Sequence, residues 1–408
     1  MWESKRHGRE HGVYSICSSN EWVIEASIEF AIRKGYYILI EATPHQVNQF
    51  GGYSGWTPED FRRFVEEIAK RKGLEPRMII LGGDHLGPLP WQDEPEPTAM
   101  QKARELIRAF VESGYKKIHI DCSMPLSDDP DVLPDEEIAR RTRELFEIAE
   151  RYRQQFNFQP VYVVGTDVPI AGGGEEEGVT SVEDFRRAIE ALKRYFPDVP
   201  NILDRVVGFV IMLGIGFSRD KVFEYDRDRV REILEEVKRE DLFVEGHSTD
   251  YQARYALRNM VRDGVRILKV GPALTAAFRR GVFLLSEIER EIIPERRRQD
   301  IRRVILETML RDDRYWRDYY ETSDQLREDI EYNLLDRIRY YWDYPDVREV
   351  LERLFRNFSE GVDERYIYQY FYDSYQDVRD GRMTNDPRRL ILKEIQLVLE
   401  DYAYAIYD

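Results

Sequence analysis

The chain has 408 residues, a formal net charge of −17, 42% hydrophobic residues and 34% charged residues. This composition excludes a disordered chain, and the length is enough for a large core and more than one domain. The negative charge excludes a general nucleic-acid-binding or anionic membrane surface. The two cysteines, Cys17 and Cys122, lack zinc-finger spacing, which excludes a disulfide scaffold. Without a secretory segment or an apolar run approaching the ~18 residues of a membrane span, we expect a cytoplasmic protein.

Eight short apolar runs alternate along the chain with longer amphipathic segments. The runs cover residues 13–19, 36–43, 78–85, 117–123, 161–167, 205–213, 242–248 and 266–273. They are nearly continuous in apolar residues, which is typical of parallel strands buried on both faces. Eight such strands with helical crossovers predict a closed (β/α)8 TIM barrel, an α/β fold. A doubly wound open sheet is the alternative, but the segment SICSSNEW after the first strand lacks the expected glycine fingerprint.

The segments between these runs carry helix signals. In PEDFRRFVEEIAKRKG, Pro58 suits a first helical turn and Gly73 suits the exit. From about residue 292 no further strand pattern occurs, and the sequence becomes helical, charged and rich in tyrosine. We therefore predict a barrel with an active-site mouth over 1–291 and a helical C-terminal extension over 292–408 that packs on the barrel.

Ionisable residues end most of the predicted strands. The third run, in MIILGGDHLGPLP, leads directly into Asp84 and His85, which are costly to bury unless they are paired or bound. In this fold the chemistry takes place at the carboxyl ends of the strands, which converge on one mouth. The ionisable residues at these ends are Glu41, Asp84, His85, Asp121, Asp167, Glu245 and His247. One such residue alone is typical of a helix cap, but the convergence of all of them favours a site.

Two histidines among carboxylates, without a cysteine cluster, are the ligand types of Zn²⁺, and also of Mn²⁺ or Co²⁺. We predict that His85 and His247 bind such a metal, with Glu245 as a third candidate because alternation places it on the face of His247. The metal would polarise a substrate carbonyl. The catalytic acid and base are predicted among the carboxylates Asp84, Asp167, Glu41 and Asp121. His119 is expected to point away from the Asp121 side of its strand and is assigned a structural role.

A substrate phosphate is predicted in the loops after strands seven and eight, where this fold commonly binds one. These loops read HSTDY and KVGPALT, and their hydroxyls, glycine N–H and lysine suit an anion. The residues predicted to bind it are Ser248, Thr249, Lys269 and Gly271. A pairing of Lys269 with a neighbouring acid is the alternative. Three further polar residues that follow strand ends are predicted to bind substrate, namely Gln46, Asn48 and Ser123.

Six segments resemble one known family along essentially the whole chain. They are IEATPHQVNQFGGYSGWTPEDFRRFV, IILGGDHLGP, KIHIDCSM, GHSTDYQ, ILKVGPALT and LLDRIRYYW. They are similar to the class II D-tagatose-1,6-bisphosphate aldolase Z-type subunit family. The resemblance implies a barrel akin to the zinc-dependent ketose-bisphosphate aldolases, in which an Asp-His pair at the third strand supplies an acid/base carboxylate and a metal ligand. Asp84 and His85 match that pair.

The chain departs from the family's pattern at three places. Asn20 stands where a histidine is expected after the first strand, and Asp167 replaces a glutamate in GTDVP. The sixth strand ends in MLGIGF, without the metal-binding histidine of related aldolases. These departures weigh against an aldolase-type site with three histidines and leave a mixed carboxylate–histidine site.

The resemblance implies two kinds of function, because family members are described as non-catalytic partners of a separate aldolase subunit and some relatives as ketohexose or ketohexose-phosphate 4-epimerases. We predict a metal-dependent 4-epimerase of fructose- or tagatose-type ketohexoses or their phosphates. Opening of the C3–C4 bond and closure on the other aldehyde face would invert C4, and direct proton transfer is a second route. The alternatives are a non-catalytic accessory subunit and a free-standing aldolase. The expected partners are the sugar, a catalytic aldolase subunit and further copies of the chain.

Overall fold

The computed structural model describes residues 12–156, 158–166, 178–196, 205–320 and 325–407. The barrel strands in chain order are β1 Val13–Ile16, β2 Ile38–Ala42, β3 Ile79–Leu86, β4 Lys117–Ile120, β5 Val161–Gly165, β6 Val206–Val210, β7 Phe243–Gly246 and β8 Val265–Val270. They close into one barrel of parallel strands, in which β1 is hydrogen-bonded to both β2 and β8. Each strand overlaps one of the apolar runs, so the predicted (β/α)8 barrel is confirmed.

A helix follows each barrel strand in the sequence. These helices are α1 Glu21–Lys34, α2 Pro58–Lys72, α3 Glu96–Glu112, α4 Asp135–Arg153, α5 Val182–Tyr195, α6 Arg227–Arg239, α7 Arg254–Asp263 and α8 Pro272–Ile292. The ends of α2 follow from its sequence, since Thr57 caps the N-terminus, Pro58 begins the first turn and Gly73 ends the helix at φ 86°, where glycine is unstrained. A short antiparallel hairpin, Gly216–Phe217 with Val222–Phe223, precedes α6.

The chain after the barrel forms further helices. They are α9 Ile301–Arg311, α10 Leu326–Tyr332, α11 Pro345–Asn357, α12 Glu364–Tyr370, α13 Tyr372–Arg379 and α14 Pro387–Tyr407. α14 packs against α1, α7 and α8, and its Tyr402 hydroxyl donates a hydrogen bond to the Thr249 carbonyl at 2.9 Å. Most buried apolar residues of barrel and extension form one continuous core, and a separate apolar cluster lies inside the barrel. Within the described ranges, no helix is long and apolar enough to cross a membrane.

The barrel interior changes from apolar to polar toward the carboxyl ends of the strands. An inner apolar layer includes Val13, Leu39, Phe243 and Ile267. Because alternate residues of a strand face the same side, the next inward positions on β1, β2, β7 and β8 lie two residues further along. Those positions are occupied by Ser15, Glu41, Glu245 and Lys269, and all four are buried. The strand register therefore brings ionisable side chains to the mouth of the barrel.

Candidate active site

The first polar group inside the mouth is a lysine held between two carboxylates. Lys117 Nζ, at the start of β4, lies 2.6 Å from Glu41 Oε1 and 2.7 Å from Glu245 Oε1, and the three side chains have no solvent exposure. The Ser15 hydroxyl donates a further hydrogen bond to Glu41 Oε2 at 2.6 Å. Buried carboxylates are tolerated when they are paired in this way. The Lys117 ammonium therefore fixes two of the predicted site residues in place.

A second lysine, Lys269 of β8, is enclosed by the same carboxylates. Its ammonium forms an ion pair with Asp84 of β3 and lies 3.6 Å from both Glu41 Oε2 and Glu245 Oε1. Burial alone would raise the pKa of Asp84, but the Lys269 ammonium and His85 hold it well below its usual value. Burial would lower the pKa of Lys269, but Asp84 and Glu41 raise it well above its usual value. Three carboxylates thus face two ammonium groups, with one formal negative charge left over.

Three imidazoles, which we call the imidazole cluster, lie beside Asp84. The ring centroids are 4.7 Å apart for His85 and His247, 4.8 Å for His85 and His119, and 5.5 Å for His119 and His247. All three rings are buried, and burial lowers the pKa of His119. One side-chain atom from each of these histidines and one oxygen of Asp84 all lie within 4.8 Å of one another. Four potential metal-ligand atoms are therefore close together.

Each imidazole has a hydrogen-bonding contact that fixes its ring. The contacts are His85 Nδ1 with Asp121 Oδ2 at 2.9 Å, His119 Nε2 with Gly165 O at 2.9 Å, and His247 Nε2 with Glu245 Oε1 at 3.0 Å. Asp121 is held in turn by Ser123, whose hydroxyl donates to Oδ1 at 2.6 Å. Metal-binding histidines typically have such a partner on the nitrogen that does not face the metal. The partners of His85 and His119 match this arrangement.

The backbone at the strand ends adopts uncommon conformations around the cluster. His85 has φ 49° and Ser248 has φ 52°, a left-handed region that residues other than glycine rarely adopt outside functional sites. In this conformation the backbone N–H of His85 donates to His119 Nδ1 at 3.1 Å. A side chain at Gly82 would overlap Glu41. The backbone at Gly82 and His85 is therefore constrained by the close packing of the side chains around it.

The cluster opens into a cavity of about 720 Å³ that the barrel and the C-terminal extension share. The barrel contributes Gln46, Asp84, His85, His247, Ser248 and Lys269 to its lining. The extension contributes an arginine- and tyrosine-rich part, made of Arg314, Tyr315, Tyr319, Arg337, Arg339 and Tyr340. The candidate site is thus built from both parts of the chain, whereas the sequence analysis placed it in the barrel alone.

The whole chain is similar to known proteins. It matches the family described as D-tagatose-1,6-bisphosphate aldolase subunit GatZ/KbaZ-like over residues 1–407. The chain belongs to this family. Relatives named D-tagatose-1,6-bisphosphate aldolase subunit GatZ are 40% identical in Salmonella heidelberg (strain SL476), over 98% of this chain and 96% of the relative, and 39% identical in Klebsiella pneumoniae subsp. pneumoniae, over 98% and 97%. The family resemblance seen in the sequence is confirmed.

A solved structure shares the fold of this GatZ/KbaZ-like chain. The crystal structure of a probable tagatose 6 phosphate kinase from Sinorhizobium meliloti 1021 aligns with a TM-score of 0.89 and 36% sequence identity. The alignment covers 97% of this chain and 100% of the other. Both parts of the GatZ/KbaZ-like chain, barrel and extension, therefore have a counterpart in a known structure.

The donor set of this GatZ/KbaZ-like chain fits a divalent metal ion. Its nitrogen and oxygen donors, from the imidazole cluster and Asp84, are of the kinds that Zn²⁺, Mn²⁺ or Co²⁺ prefer. His119 supports the fit, because in the tautomer whose Nε2 donates to Gly165 O, Nδ1 carries no proton and lies only 2.9 Å from Asp84 Oδ1. A cation bound at these groups would offset the repulsion between the two electron-rich atoms.

The structure brings most of the predicted site residues together. Those in contact around the mouth are Glu41, Asp84, His85, Asp121, Glu245, His247 and Lys269. Gln46 and Ser248 line the cavity. Asp167 lies outside the described residues, so its pairing with Asp84 as acid and base stays a prediction.

The expectation for His119 is wrong, and Lys117 was missed. Alternation from Asp121 back along β4 places both residues on the inward face that Asp121 shares, and both are buried among the site carboxylates. Counting back in steps of two from Asp121 would have found them. The third imidazole, sought on the sixth strand, is therefore supplied by β4.

Of the residues predicted to bind a phosphate after β7 and β8, Ser248, Lys269 and Gly271 line the cavity, and their role stays a prediction. The Lys269 ammonium is held by Asp84, which is the alternative that the sequence left open. The Thr249 hydroxyl donates to the Lys269 carbonyl at 2.7 Å and is buried. The Gly271 N–H donates to Asp250 Oδ1 at 3.0 Å. The Lys269 ammonium, the Thr249 hydroxyl and the Gly271 N–H thus each have a partner within the protein, which favours a contribution of further donors to a phosphate site.

Two further predicted site residues have partners within the protein. Asn48 is buried, and its Nδ2 donates to the Pro44 carbonyl at 2.8 Å, so that it shapes the loop after β2 instead of lining the cavity. Glu245, the third candidate metal ligand, is bound by Lys117 and also lies with Glu41 and Asp84 in a second group of potential ligand atoms. Asp84 is the carboxylate that lies with the imidazole cluster.

Proposed function

We propose that this chain is a subunit of a class II tagatose-1,6-bisphosphate aldolase that works beside a separate catalytic subunit and binds a ketohexose phosphate in its own barrel. The support for the subunit role is family membership, since relatives that carry this name are 39% and 40% identical over almost their whole length. The support for a binding role is the cavity above the buried ionisable cluster.

The buried cluster favours a second activity, the 4-epimerisation of a ketohexose phosphate by the chain alone. Four carboxylates, two ammonium groups and three imidazoles are buried at one mouth, and their desolvation is costly. A subunit that only supports the structure of a partner has no need of such a group. This cluster is the single observation that carries the proposal of intrinsic chemistry.

Asp84 is the base in this reaction. Its carboxylate, kept ionised by the Lys269 ammonium, accepts the proton of the C4 hydroxyl, and the C3–C4 bond opens to an enediolate and an aldehyde. Closure on the other face of the aldehyde and return of the proton invert C4. Asp167, the predicted second acid and base, takes part in the alternative route by direct proton transfer.

The imidazole cluster is proposed to hold a divalent metal ion, Zn²⁺ with Mn²⁺ or Co²⁺ as alternatives, next to Asp84. When bound, such an ion supplies Lewis-acid polarisation of the substrate carbonyl. Asp121 orients His85, and the two lysines balance the charge of the surrounding carboxylates. The free thiols of Cys17 and Cys122 support the proposed cytoplasmic location.

The test uses the zinc-loaded protein alone and then with a catalytic class II aldolase subunit. The substrates are fructose 6-phosphate, tagatose 6-phosphate and the two 1,6-bisphosphates, with products followed by NMR. Interconversion of the two monophosphates by the chain alone, lost in Asp84→Asn and retained in Asp228→Asn on the exposed side of α6, supports 4-epimerisation. No turnover alone, but faster or more stable catalysis by the partner, supports the accessory role only. Triose phosphates formed by the chain alone would contradict both.

A further inference from the structure

Two arginines of the C-terminal extension converge in the lining of the cavity. Arg337 Nη1 and Arg339 Nη2 both donate to the phenol oxygen of Tyr340, at 3.1 Å and 3.0 Å. The same cavity is lined by Asp84 and His247 of the barrel mouth. Two guanidinium groups therefore lie side by side above the proposed reaction site.

Neither guanidinium has a carboxylate partner within 4.0 Å in the part of the chain that the structure describes. Asp318 also contributes to this lining but pairs with neither of them. The neighbouring Arg314 differs, because Asp312 lies 2.7 Å from its Nη2. Arg339 Nη1 also donates to the carbonyl oxygens of Leu335 and Asp336, but neither guanidinium has a direct ion pair with a described residue, so a bound anion would be favourable there.

The Arg337 guanidinium is also preorganised for such a ligand. Its residue is only 6% exposed, and its Nε is buried without a hydrogen-bond partner. The guanidinium lies over the ring of Tyr319, 3.1 Å from the ring centroid. A buried donor without a partner is unfavourable, and a fixed planar guanidinium presents its donors in the fork that matches the oxygens of a phosphate.

We propose that Arg337 and Arg339 form the phosphate subsite of this cavity, and that its ligand is a phosphorylated ketose in preference to the free sugar. The sugar part of this ligand rests on the proposed function, whereas the anion site rests on the arginines themselves. A phosphate bound there leaves the carbon chain in the cavity that His85 and Lys269 also line. The extension then supplies anion contacts to a cavity whose Lys269 ammonium is already paired with Asp84.

The experiment is calorimetric titration of the full chain with inorganic phosphate, fructose 6-phosphate and fructose. We expect Arg337→Met and Arg339→Met each to weaken phosphate binding by about tenfold or more, the effect of losing a charge-assisted hydrogen bond. Arg353→Met on α11 is the matched control, because Arg353 is exposed and has its own carboxylate partner, Glu349, so this change should alter the affinity by less than about twofold. Because Arg337 is buried, thermal unfolding is measured for each variant to check that it folds. Arg339 is only half-buried, so Arg339→Met tests the subsite even if Arg337→Met does not fold.

The outcomes separate this inference from the proposed function. If the wild type turns over no ketohexose phosphate but its phosphate binding depends on the two arginines, the proposed chemistry fails and the subsite stands. Phosphate binding that persists in His85→Ala supports the same conclusion. If folded Arg337→Met and Arg339→Met bind phosphate as the wild type does, or if the wild type prefers fructose to fructose 6-phosphate, the subsite is overturned even where turnover is seen.

Discussion

His85 Nδ1 lies 2.9 Å from Asp121 Oδ2, while His85 Nε2 lies 3.9 Å from Asp84 Oδ2. The ring therefore turns one nitrogen to the carboxylate that orients it and the other toward the carboxylate proposed as the base. A carboxylate behind a histidine fixes its tautomer and increases the basicity of the free nitrogen. We therefore propose that Asp121 is a positioning residue, whereas the sequence analysis predicted it among the catalytic acids and bases.

Asp121→Asn tests this relationship, because it keeps the shape of the side chain and removes the charge behind His85. We expect zinc affinity to fall about 10- to 100-fold, the usual effect of losing such a partner, as measured by competition with a chromogenic chelator. Ser123→Ala removes only the hydroxyl that donates to Asp121 and should cost less. Equal zinc affinity in Asp121→Asn and the wild type would contradict the positioning role.

The imidazole cluster predicts which histidines carry the metal. We expect His85→Ala, His119→Ala and His247→Ala each to lower the zinc content of the purified protein to well below one ion per chain, because each removes one donor of the set. The matched control is His45→Ala, which removes a described imidazole outside the cluster. Zinc content is measured by mass spectrometry of metals after dialysis, and circular dichroism checks the fold. Full zinc content in all three variants would show that the metal lies elsewhere.

Lys117 is predicted to be essential for stability because it neutralises two buried carboxylates. Lys117→Met leaves Glu41 and Glu245 buried without this cation, and the loss of one partner of a buried ion pair costs about 3–5 kcal/mol. The exposed neighbour Lys116 provides the control, since Lys116→Met should cost less than about 0.5 kcal/mol. Both are measured as free energies of unfolding in urea.

A double variant distinguishes the contribution of the Lys117 charge to stability from the contribution of its packing. Lys117→Met combined with Glu41→Gln should recover part of the lost stability, because fewer uncompensated charges remain. If the double variant is as unstable as the sum of the two single variants, the effect of Lys117 comes from its packing and not from its charge.

The strands and the core of the site follow from the sequence, because a strand buried on both faces has a continuous apolar run and ends at the barrel mouth. Lys117 was missed because it begins its strand, where a lysine is usually exposed. Arg337 and Arg339 were missed because only tertiary packing brings them to strand ends far away in the sequence. The departure at Asn20 has a local reason, since its side chain accepts the Trp22 N–H at 3.0 Å and caps α1.

Lys269 is predicted to act on turnover and not on phosphate recognition. Because its ammonium pairs with Asp84, Lys269→Met should lower the turnover of fructose and of fructose 6-phosphate by a similar factor. The ratio of the two KM values should stay unchanged, whereas Arg339→Met should change that ratio. A KM increase confined to fructose 6-phosphate would contradict this prediction and support the phosphate-binding role that the sequence predicts for Lys269.

A buried glutamate in the extension makes stability depend on pH. Glu394 on α14 forms an ion pair with Arg280 of α8. Burial raises its pKa from 4.5 to about 7, since the Arg280 guanidinium offsets only part of the effect and Asp373 adds to it. In the unfolded chain the same carboxyl group ionises near its ordinary value of 4.5. Between these two values unfolding releases a proton, so stability falls as the pH rises through this window.

Glu394→Gln removes this titration. Near pH 4.5 and below, both forms of the wild type carry the proton, and the variant should have nearly wild-type stability. At pH 8 the variant should be more stable than the wild type by about 1–3 kcal/mol, since one pKa unit corresponds to about 1.4 kcal/mol. Arg280→Met should act in the opposite direction, with a larger loss of stability at pH 8 than at pH 5, because the ionised carboxylate then lacks its cation. Urea unfolding at both pH values measures these differences, and an equal difference between Glu394→Gln and the wild type at both would contradict the raised pKa.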